Sequence, residues 1–169
     1  MVLDLKSFFN GGNRELKIET KLDFSSEEYV GECIFPEPVS VLGKISNRAD
    51  VTYVELTCQV ILEKSCDRCG DKTRKELTVN INRVAVNHLE GEEDDEILLV
   101  PDEKLDLYEF CFSEILLSLP MKHLCSDTCK GICLNCGKNL NVGPCGCTTK
   151  SIDPRLEVLA KLLEQDQED

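Results

Sequence analysis

Apolar and polar residues alternate strictly from Arg14 to Phe24, with Leu16, Ile18 and Leu22 on the same side as Phe24. Charged residues occupy most of the other side. Because successive side chains of a strand point to opposite faces, this period of two predicts a half-buried β-strand.

Similar patterns follow along the chain. Residues 39–45 alternate up to a polar turn at 47–50, and residues 51–62 and 77–86 form two further strand-like runs. These runs predict an antiparallel sheet in the N-terminal half. The segment 66–70 joins the last two runs, so its CxxC pair is predicted at the tip of a hairpin rather than in a helix.

The pattern then changes to a helical period. Asp106 and Glu109 have the spacing of a capping box, and apolar residues recur at helical intervals from Tyr108 to Leu119. Pro120 follows, so a helix is predicted to end at about Leu119.

A second helix is predicted to begin with Asp153 as N-cap and Pro154 in its first turn. Its apolar face consists of Leu156, Leu159, Ala160 and Leu163. A cysteine-rich loop lies between the two predicted helices.

An acidic run separates the two halves, because six of the seven residues in 90–96 are acidic and repel one another. We therefore predict an antiparallel β domain over 1–89 with the CxxC hairpin, and an acidic linker over 90–104. The remainder, 105–169, is predicted as a helix, a zinc-binding cysteine-rich loop and a C-terminal helix. The predicted fold class is α+β.

Charge and hydropathy narrow the classes of function. The 169-residue chain has 19 Lys and Arg against 32 Asp and Glu, a net charge of −13 that disfavours long-range attraction to nucleic acid or anionic membrane. No apolar run exceeds four residues, so a membrane span is not expected. We expect a soluble, cytoplasmic protein.

Cysteine is unusually frequent, with 11 in the chain. In a reducing compartment, clustered thiols bind metals more often than they form disulfides. Six cysteines fall within residues 125–147, and Cys66 and Cys69 form a separate pair. The isolated Cys33, Cys58 and Cys111 are predicted to lie in the core.

The strongest metal signal is Cys133-Leu134-Asn135-Cys136-Gly137 followed by Cys145-Gly146-Cys147. Short thiolate loops with glycine at the bends are typical of tetrahedral zinc sites. We therefore predict a primary zinc site made by Cys133, Cys136, Cys145 and Cys147. An iron–sulfur centre is the alternative, although the spacing matches neither common ferredoxin pattern.

Four cysteines remain, and spacing leaves two interpretations open. If the hairpin folds over the loop, Cys66, Cys69, Cys125 and Cys129 can form a second metal site. Alternatively, Cys129 replaces a ligand of the primary site. His123 is predicted to be a partly exposed polar residue rather than an imidazole ligand.

The sequence gives little support for an enzyme. It contains no Gly-rich phosphate loop, HExxH or GxSxG motif, and its two histidines restrict catalytic triads. The Cys66–Cys69 pair lies between predicted strands, without the helix N-terminus that usually activates a redox thiol. No small-molecule substrate is predicted.

Five blocks of sequence carry a family resemblance. They are Cys66-Asp67-Arg68-Cys69, Leu105-Asp106-Leu107, Leu117-Ser118-Leu119-Pro120, the run from Cys129 to Asn141, and Asp153-Pro154-Arg155. Over about residues 3–163 the chain resembles the bacterial YceD family, named for large ribosomal RNA subunit accumulation. Its cysteine-rich C-terminal block is the most specific part of the match.

The resemblance implies a non-catalytic ribosome-biogenesis factor that supports accumulation or maturation of large-subunit (23S) rRNA. The implied partners are the large-subunit rRNA precursor or ribosomal proteins. The cofactor predicted from the cysteine spacing is zinc, as one or two ions. Two alternatives remain, a zinc–thiolate redox sensor and a nucleic-acid-binding zinc ribbon.

Overall fold

The computed structural model describes residues 1–11, 14–88 and 96–147. Its elements are β1 (Val2–Asp4), α1 (Lys6–Phe9), β2 (Arg14–Leu22), β3 (Val39–Arg48), β4 (Val51–Ser65), β5 (Lys72–Val86), β6 (Ile97–Leu99), β7 (Lys104–Asp106) and α2 (Leu107–Leu117). The described residues are thus mainly β-sheet with few helices. The predicted second helix from Asp153 lies outside them, so the arrangement of two helices around the loop stays a prediction.

Five strands form the main sheet in the order β2-β3-β4-β5-β6. The first four are antiparallel neighbours, as their alternating sequences predicted, and β6 adds parallel to β5. Ala49 and Asp50 connect β3 to β4 with φ of 50° and 63°, as the tight turn of a two-residue hairpin requires. The long β4–β5 hairpin carries the CxxC loop at its far end.

The core lies between one face of this sheet and α2. Val54, Leu56, Cys58, Val60 and Leu62 all face inward from β4, as their spacing predicted. From α2, the side chains of Leu107, Cys111 and Ile115 are buried against them. Arg83 of β5 binds the Glu114 carboxylate of α2 with two hydrogen bonds, of 2.7 and 3.0 Å. The helix is therefore fixed to the sheet by apolar packing and by a two-pronged ion pair.

Several details differ from the sequence prediction. Cys33 is exposed rather than in the core, because it lies in the loop between β2 and β3, outside the alternating strands. Strand β6 lies within the span 90–104 predicted as a linker, and β7 begins at its end and pairs with β1. Helix α2 ends at Leu117, two residues before the predicted end at about Leu119. The acidic residues 90–95 lie outside the described residues. None of the helices in the described ranges combines the length and apolar character needed to cross a bilayer.

The start of α2 gives a pH-dependent prediction. The Asp106 carboxylate accepts a 2.9 Å hydrogen bond from the Tyr108 backbone N–H, which lowers the pKa of Asp106. A carboxyl group with a lowered folded-state pKa stabilises the fold above its unfolded pKa of about 3.9, and that contribution is lost as the pH falls through the folded value.

We therefore expect Asp106→Ala to lower the melting temperature at pH 7, with the deficit shrinking below pH 4. Asp106→Asn is the matched control, because asparagine also caps helices without titrating. Differential scanning calorimetry from pH 2 to 7 measures both. An Asp106→Ala deficit that stays constant with pH would contradict this role of the carboxylate.

Candidate metal centre

The tip of the β4–β5 hairpin meets the cysteine-rich segment after α2. Cys66 and Cys69 lie in the hairpin loop, and Cys125 and Cys129 come from the later segment. We call these four residues the hairpin quartet. Their sulfur atoms all lie within 4.8 Å of one another, so the quartet can hold a metal ion.

The sulfur spacing suits tetrahedral coordination. The Sγ atoms of Cys66 and Cys129 are 3.8 Å apart, and those of Cys69 and Cys125 are 3.6 Å apart. A tetrahedron with zinc–sulfur bonds of about 2.3 Å has sulfur–sulfur edges of about 3.8 Å. Disulfide bonds are much shorter, at about 2.05 Å. The arrangement is therefore that of four converging thiols.

A second group follows at once in the chain. Cys133, Cys136, Cys145 and Cys147 also have sulfur atoms within 4.8 Å of one another, and we call them the knuckle quartet. Cys133 is buried, Cys136 is exposed, and the other two are half-buried. All four ligands come from 15 consecutive residues, so this group is local, whereas the hairpin quartet joins distant parts of the chain.

Both quartets use the same backbone turn. In the hairpin loop the Gly70 N–H donates to the Cys66 carbonyl at 2.9 Å, and in the knuckle Gly137 donates to Cys133 at 2.8 Å. Gly70 has φ of 76° and Gly137 has φ of 72°, a conformation that glycine adopts without strain. The CxxCG pattern thus folds each pair of cysteines into one tight turn.

The same turns stabilise thiolates. At Cys66 burial disfavours the charged form, but backbone N–H groups of Cys69 and Arg68 contribute to lowering the pKa of its thiol to about 6. At Cys133 the backbone N–H groups of Cys136 and Asn135 lower the pKa to about 6. Each quartet therefore presents a thiol ready to bind metal as a thiolate near neutral pH.

His123 holds the two segments of the hairpin quartet together. Its backbone N–H donates to the Asp67 carboxylate at 2.7 Å, and its ring Nε2 shares a 2.6 Å hydrogen bond with Thr73. Its side chain is buried, so the prediction of partial exposure was wrong. Burial lowers the pKa of His123, which favours the neutral ring. The His123 side chain thus packs onto the hairpin instead of facing water.

The structure brings together all eight cysteines singled out from the sequence, in two groups of four. Cys129 lies with Cys66, Cys69 and Cys125 rather than in the knuckle quartet. Cys58 and Cys111 are buried in the core as predicted. Sequence reasoning missed the polar residues around the sulfurs, such as Asn141, because asparagines after a CxxCG turn have no distinctive spacing.

The glycine that links the quartets gives a second prediction. Gly131 has φ of 72°, and a Cβ atom there would lie 3.1 Å from the Arg68 carbonyl oxygen. Gly137 has the same φ but an added Cβ would meet nothing within 4 Å. Gly131→Ala therefore combines strained backbone with a close contact, whereas Gly137→Ala has the strain alone.

We expect Gly131→Ala to destabilise the fold by roughly 1 kcal/mol more than Gly137→Ala, as measured by chemical denaturation of the metal-bound protein. Equal losses for the two variants would mean that the close approach of Gly131 to Arg68 has no energetic consequence.

Fold and site together define a mainly β protein with two four-cysteine groups that can each hold a metal ion. The sequence model described as "Large ribosomal RNA subunit accumulation protein YceD" matches residues 54–163, which include both quartets. The chain therefore belongs to the YceD family.

Among three curated relatives, one carries the family's name. The chain is 29% identical over 133 residues to the uncharacterized protein YlbN of Bacillus subtilis, covering 78% of this chain and 77% of that protein. It is 23% identical over 161 residues to "Large ribosomal RNA subunit accumulation protein YCED homolog 1, chloroplastic" of Arabidopsis thaliana, covering 78% of this chain and 50% of the relative.

A shorter match, 36% identical over 74 residues, covers 44% of this chain and 35% of an uncharacterized protein of Mycobacterium tuberculosis. The chain thus spans half or less of two of these three relatives. No solved structure matches the chain.

Proposed function

We propose that this protein is a non-catalytic cytoplasmic factor that supports accumulation or maturation of large-subunit (23S) rRNA, with a structural zinc ion in each quartet. The observation that carries the proposal is the family match over residues 54–163. The name of the Arabidopsis relative, which refers to large ribosomal RNA subunit accumulation, supports the same role.

Zinc is the metal that the donor sets favour. Four soft thiolates at tetrahedral spacing are the ligands that structural zinc prefers. A catalytic zinc site keeps one position open for water, whereas four sulfurs fill all four positions. In this proposal the metals hold the fold of residues 121–147 and perform no reaction.

The charge of the chain favours a basic partner. With a net charge of −13, the protein attracts basic proteins more readily than RNA. Lys122, Lys130 and Lys138 outnumber Asp127 in the metal-binding segment, but two zinc–tetrathiolate centres of charge −2 each would offset that excess. We therefore propose basic large-subunit ribosomal proteins as the preferred partners over the rRNA itself.

Binding of the protein to a purified basic large-subunit ribosomal protein should weaken steeply as the salt concentration rises. A flat response to salt would contradict the electrostatic argument.

Depletion of the protein tests the proposed role directly. The ratio of large- to small-subunit rRNA should fall in depleted cells and recover with the wild-type gene. Cys133→Ser/Cys136→Ser and Cys66→Ser/Cys69→Ser test the two quartets, and Cys33→Ser is the control because Cys33 belongs to neither.

Recovery with Cys33→Ser but not with the double variants would support a zinc-dependent assembly function. Recovery with every variant would make zinc dispensable for it. An unchanged ratio after depletion would overturn the proposed function and favour the redox-sensor alternative.

A further inference from the structure

The two quartets are adjacent both in sequence and in space. Cys129 is the last residue of the hairpin quartet and Cys133 the first of the knuckle quartet, so only residues 130–132 separate them. A backbone change at Cys129 or at Cys133 would therefore occur only a few residues from the other site.

The connecting residues pair with the segment that follows the knuckle turn. Ile132 forms an antiparallel bridge with Asn139, and the Leu140 N–H donates to the Gly131 carbonyl at 2.9 Å. Residues 139–141 are therefore held beside the connection, close to the hairpin quartet.

Asn141 reaches from this segment into the hairpin quartet. Its Oδ1 accepts a 2.8 Å hydrogen bond from the Lys130 N–H, and its Nδ2 lies 3.3 Å from the Cys129 sulfur, to which it donates. Asn139 donates a 2.7 Å hydrogen bond to the Asp71 carboxylate, which also lies 3.4 Å from the Cys69 sulfur. Two residues of the knuckle segment therefore contact the hairpin quartet or its immediate neighbour Asp71.

The position of Asn141 in the chain gives these contacts a thermodynamic consequence. Asn141 lies between Cys136 and Cys145, so it belongs to the loop that a metal ion in the knuckle quartet closes. A metal ion that closes that loop would restrict the motion of the Asn141 amide that donates to Cys129. An N–H donor to a ligating thiolate stabilises its charge and orients the ligand.

We propose that the two sites bind metal cooperatively, with Asn141 as the positioning residue that couples them. Metal in the knuckle quartet raises the affinity of the hairpin quartet, and by linkage the reverse holds equally. This inference rests on the proposed function, because it requires both quartets to bind zinc. Loss of a partner hydrogen-bonded to a metal ligand typically lowers affinity by about 10–100-fold, which sets the expected size of the effect.

Native mass spectrometry of the full chain tests the coupling with zinc as the probe. At one equivalent of zinc per chain, the one-zinc species should make up a smaller share of the wild type than of Asn141→Leu. Asn141→Leu keeps the size of the side chain but removes its donor, so the one-zinc species should accumulate. Asn82→Leu is the control, since Asn82 is an exposed asparagine of β5 that lies in neither quartet and whose side chain makes none of the described contacts to sulfur.

A chelator competition extends the test to affinities. The overall constant for binding two zinc ions to the wild type should exceed the product of the single-site constants, measured on Cys66→Ser/Cys69→Ser and Cys133→Ser/Cys136→Ser, by about tenfold or more. In the Asn141→Leu background, the overall constant should lie within about threefold of the product of the single-site constants.

The outcomes separate the two proposals. If zinc binds both sites but the wild type and Asn141→Leu show the same distribution of species, cooperativity through Asn141 is wrong and the zinc sites stand. If the wild type binds no zinc, the structural zinc sites and their coupling are both overturned. If Asn82→Leu accumulates the one-zinc species as Asn141→Leu does, the assignment to Asn141 is wrong.

Discussion

Replacing Cys66 with serine is expected to release residues 121–147 from the hairpin tip and to leave the five-stranded sheet folded. Cys66 is buried in a small cluster with Cys69 and Cys129, separate from the main hydrophobic core. In small zinc domains metal binding contributes on the order of 10 kcal/mol of folding free energy, so a lost ligand removes a large part of the local stability. The sheet retains its own core.

Limited proteolysis with trypsin measures this release, because Lys122, Lys130 and Lys138 supply cleavage sites within the segment. Cleavage there should accelerate by roughly tenfold or more in Cys66→Ser, while far-UV circular dichroism keeps its β-sheet signal. Cys33→Ser should behave as the wild type, since Cys33 is exposed and lies in neither quartet. Equal cleavage rates in Cys66→Ser and the wild type would show that the quartet does not hold the segment.

Replacing Phe24 with alanine is expected to cause a large loss of stability in the sheet itself. The Phe24 ring is fully buried and packs on Tyr108, Phe112 and Phe35, with ring centroids 4.7, 5.3 and 6.0 Å away. Truncating such a residue removes apolar burial and leaves a cavity, at a cost of about 3–5 kcal/mol. Because these rings join the end of β2 to α2, the cavity also loosens the attachment of the helix.

Urea denaturation of the metal-bound protein gives the free energy of unfolding for this comparison. Leu117→Ala is the control, because Leu117 lies at the end of α2 with 80% of its side chain exposed. It should change stability by no more than about 0.5 kcal/mol. A loss below about 1 kcal/mol for Phe24→Ala would contradict its place at the centre of the core.

The alternation of apolar residues was enough to predict the main strands, because period-two burial follows from strand geometry alone. Cys58 illustrates this, since it falls in phase with Val54 and Val60 and is buried with them. The pairing of β1 with β7 had no comparable signal, because each strand has only three residues and they lie about 100 positions apart. Short strands of this kind depend on tertiary contacts rather than on local pattern.

The metal-site residues were visible as cysteine pairs, but their grouping was not. Spacing within Cys133–Cys147 suggested a local site, whereas the membership of Cys129 depends on how the hairpin tip meets the later segment. His123 was misjudged for the same reason, since its burial comes from Asp67 and Thr73, which lie at least 50 residues away in sequence. Long-range docking of this kind is set by the whole fold.

The zinc content of the purified full chain is the most direct test of the central claim that both quartets are structural zinc sites. Inductively coupled plasma mass spectrometry should find two zinc ions per wild-type chain, one for each quartet. Cys66→Ser/Cys69→Ser and Cys133→Ser/Cys136→Ser should each retain one at saturating zinc, and Cys33→Ser should retain two. Iron accompanied by acid-labile sulfide, or less than one metal ion per wild-type chain, would contradict the account.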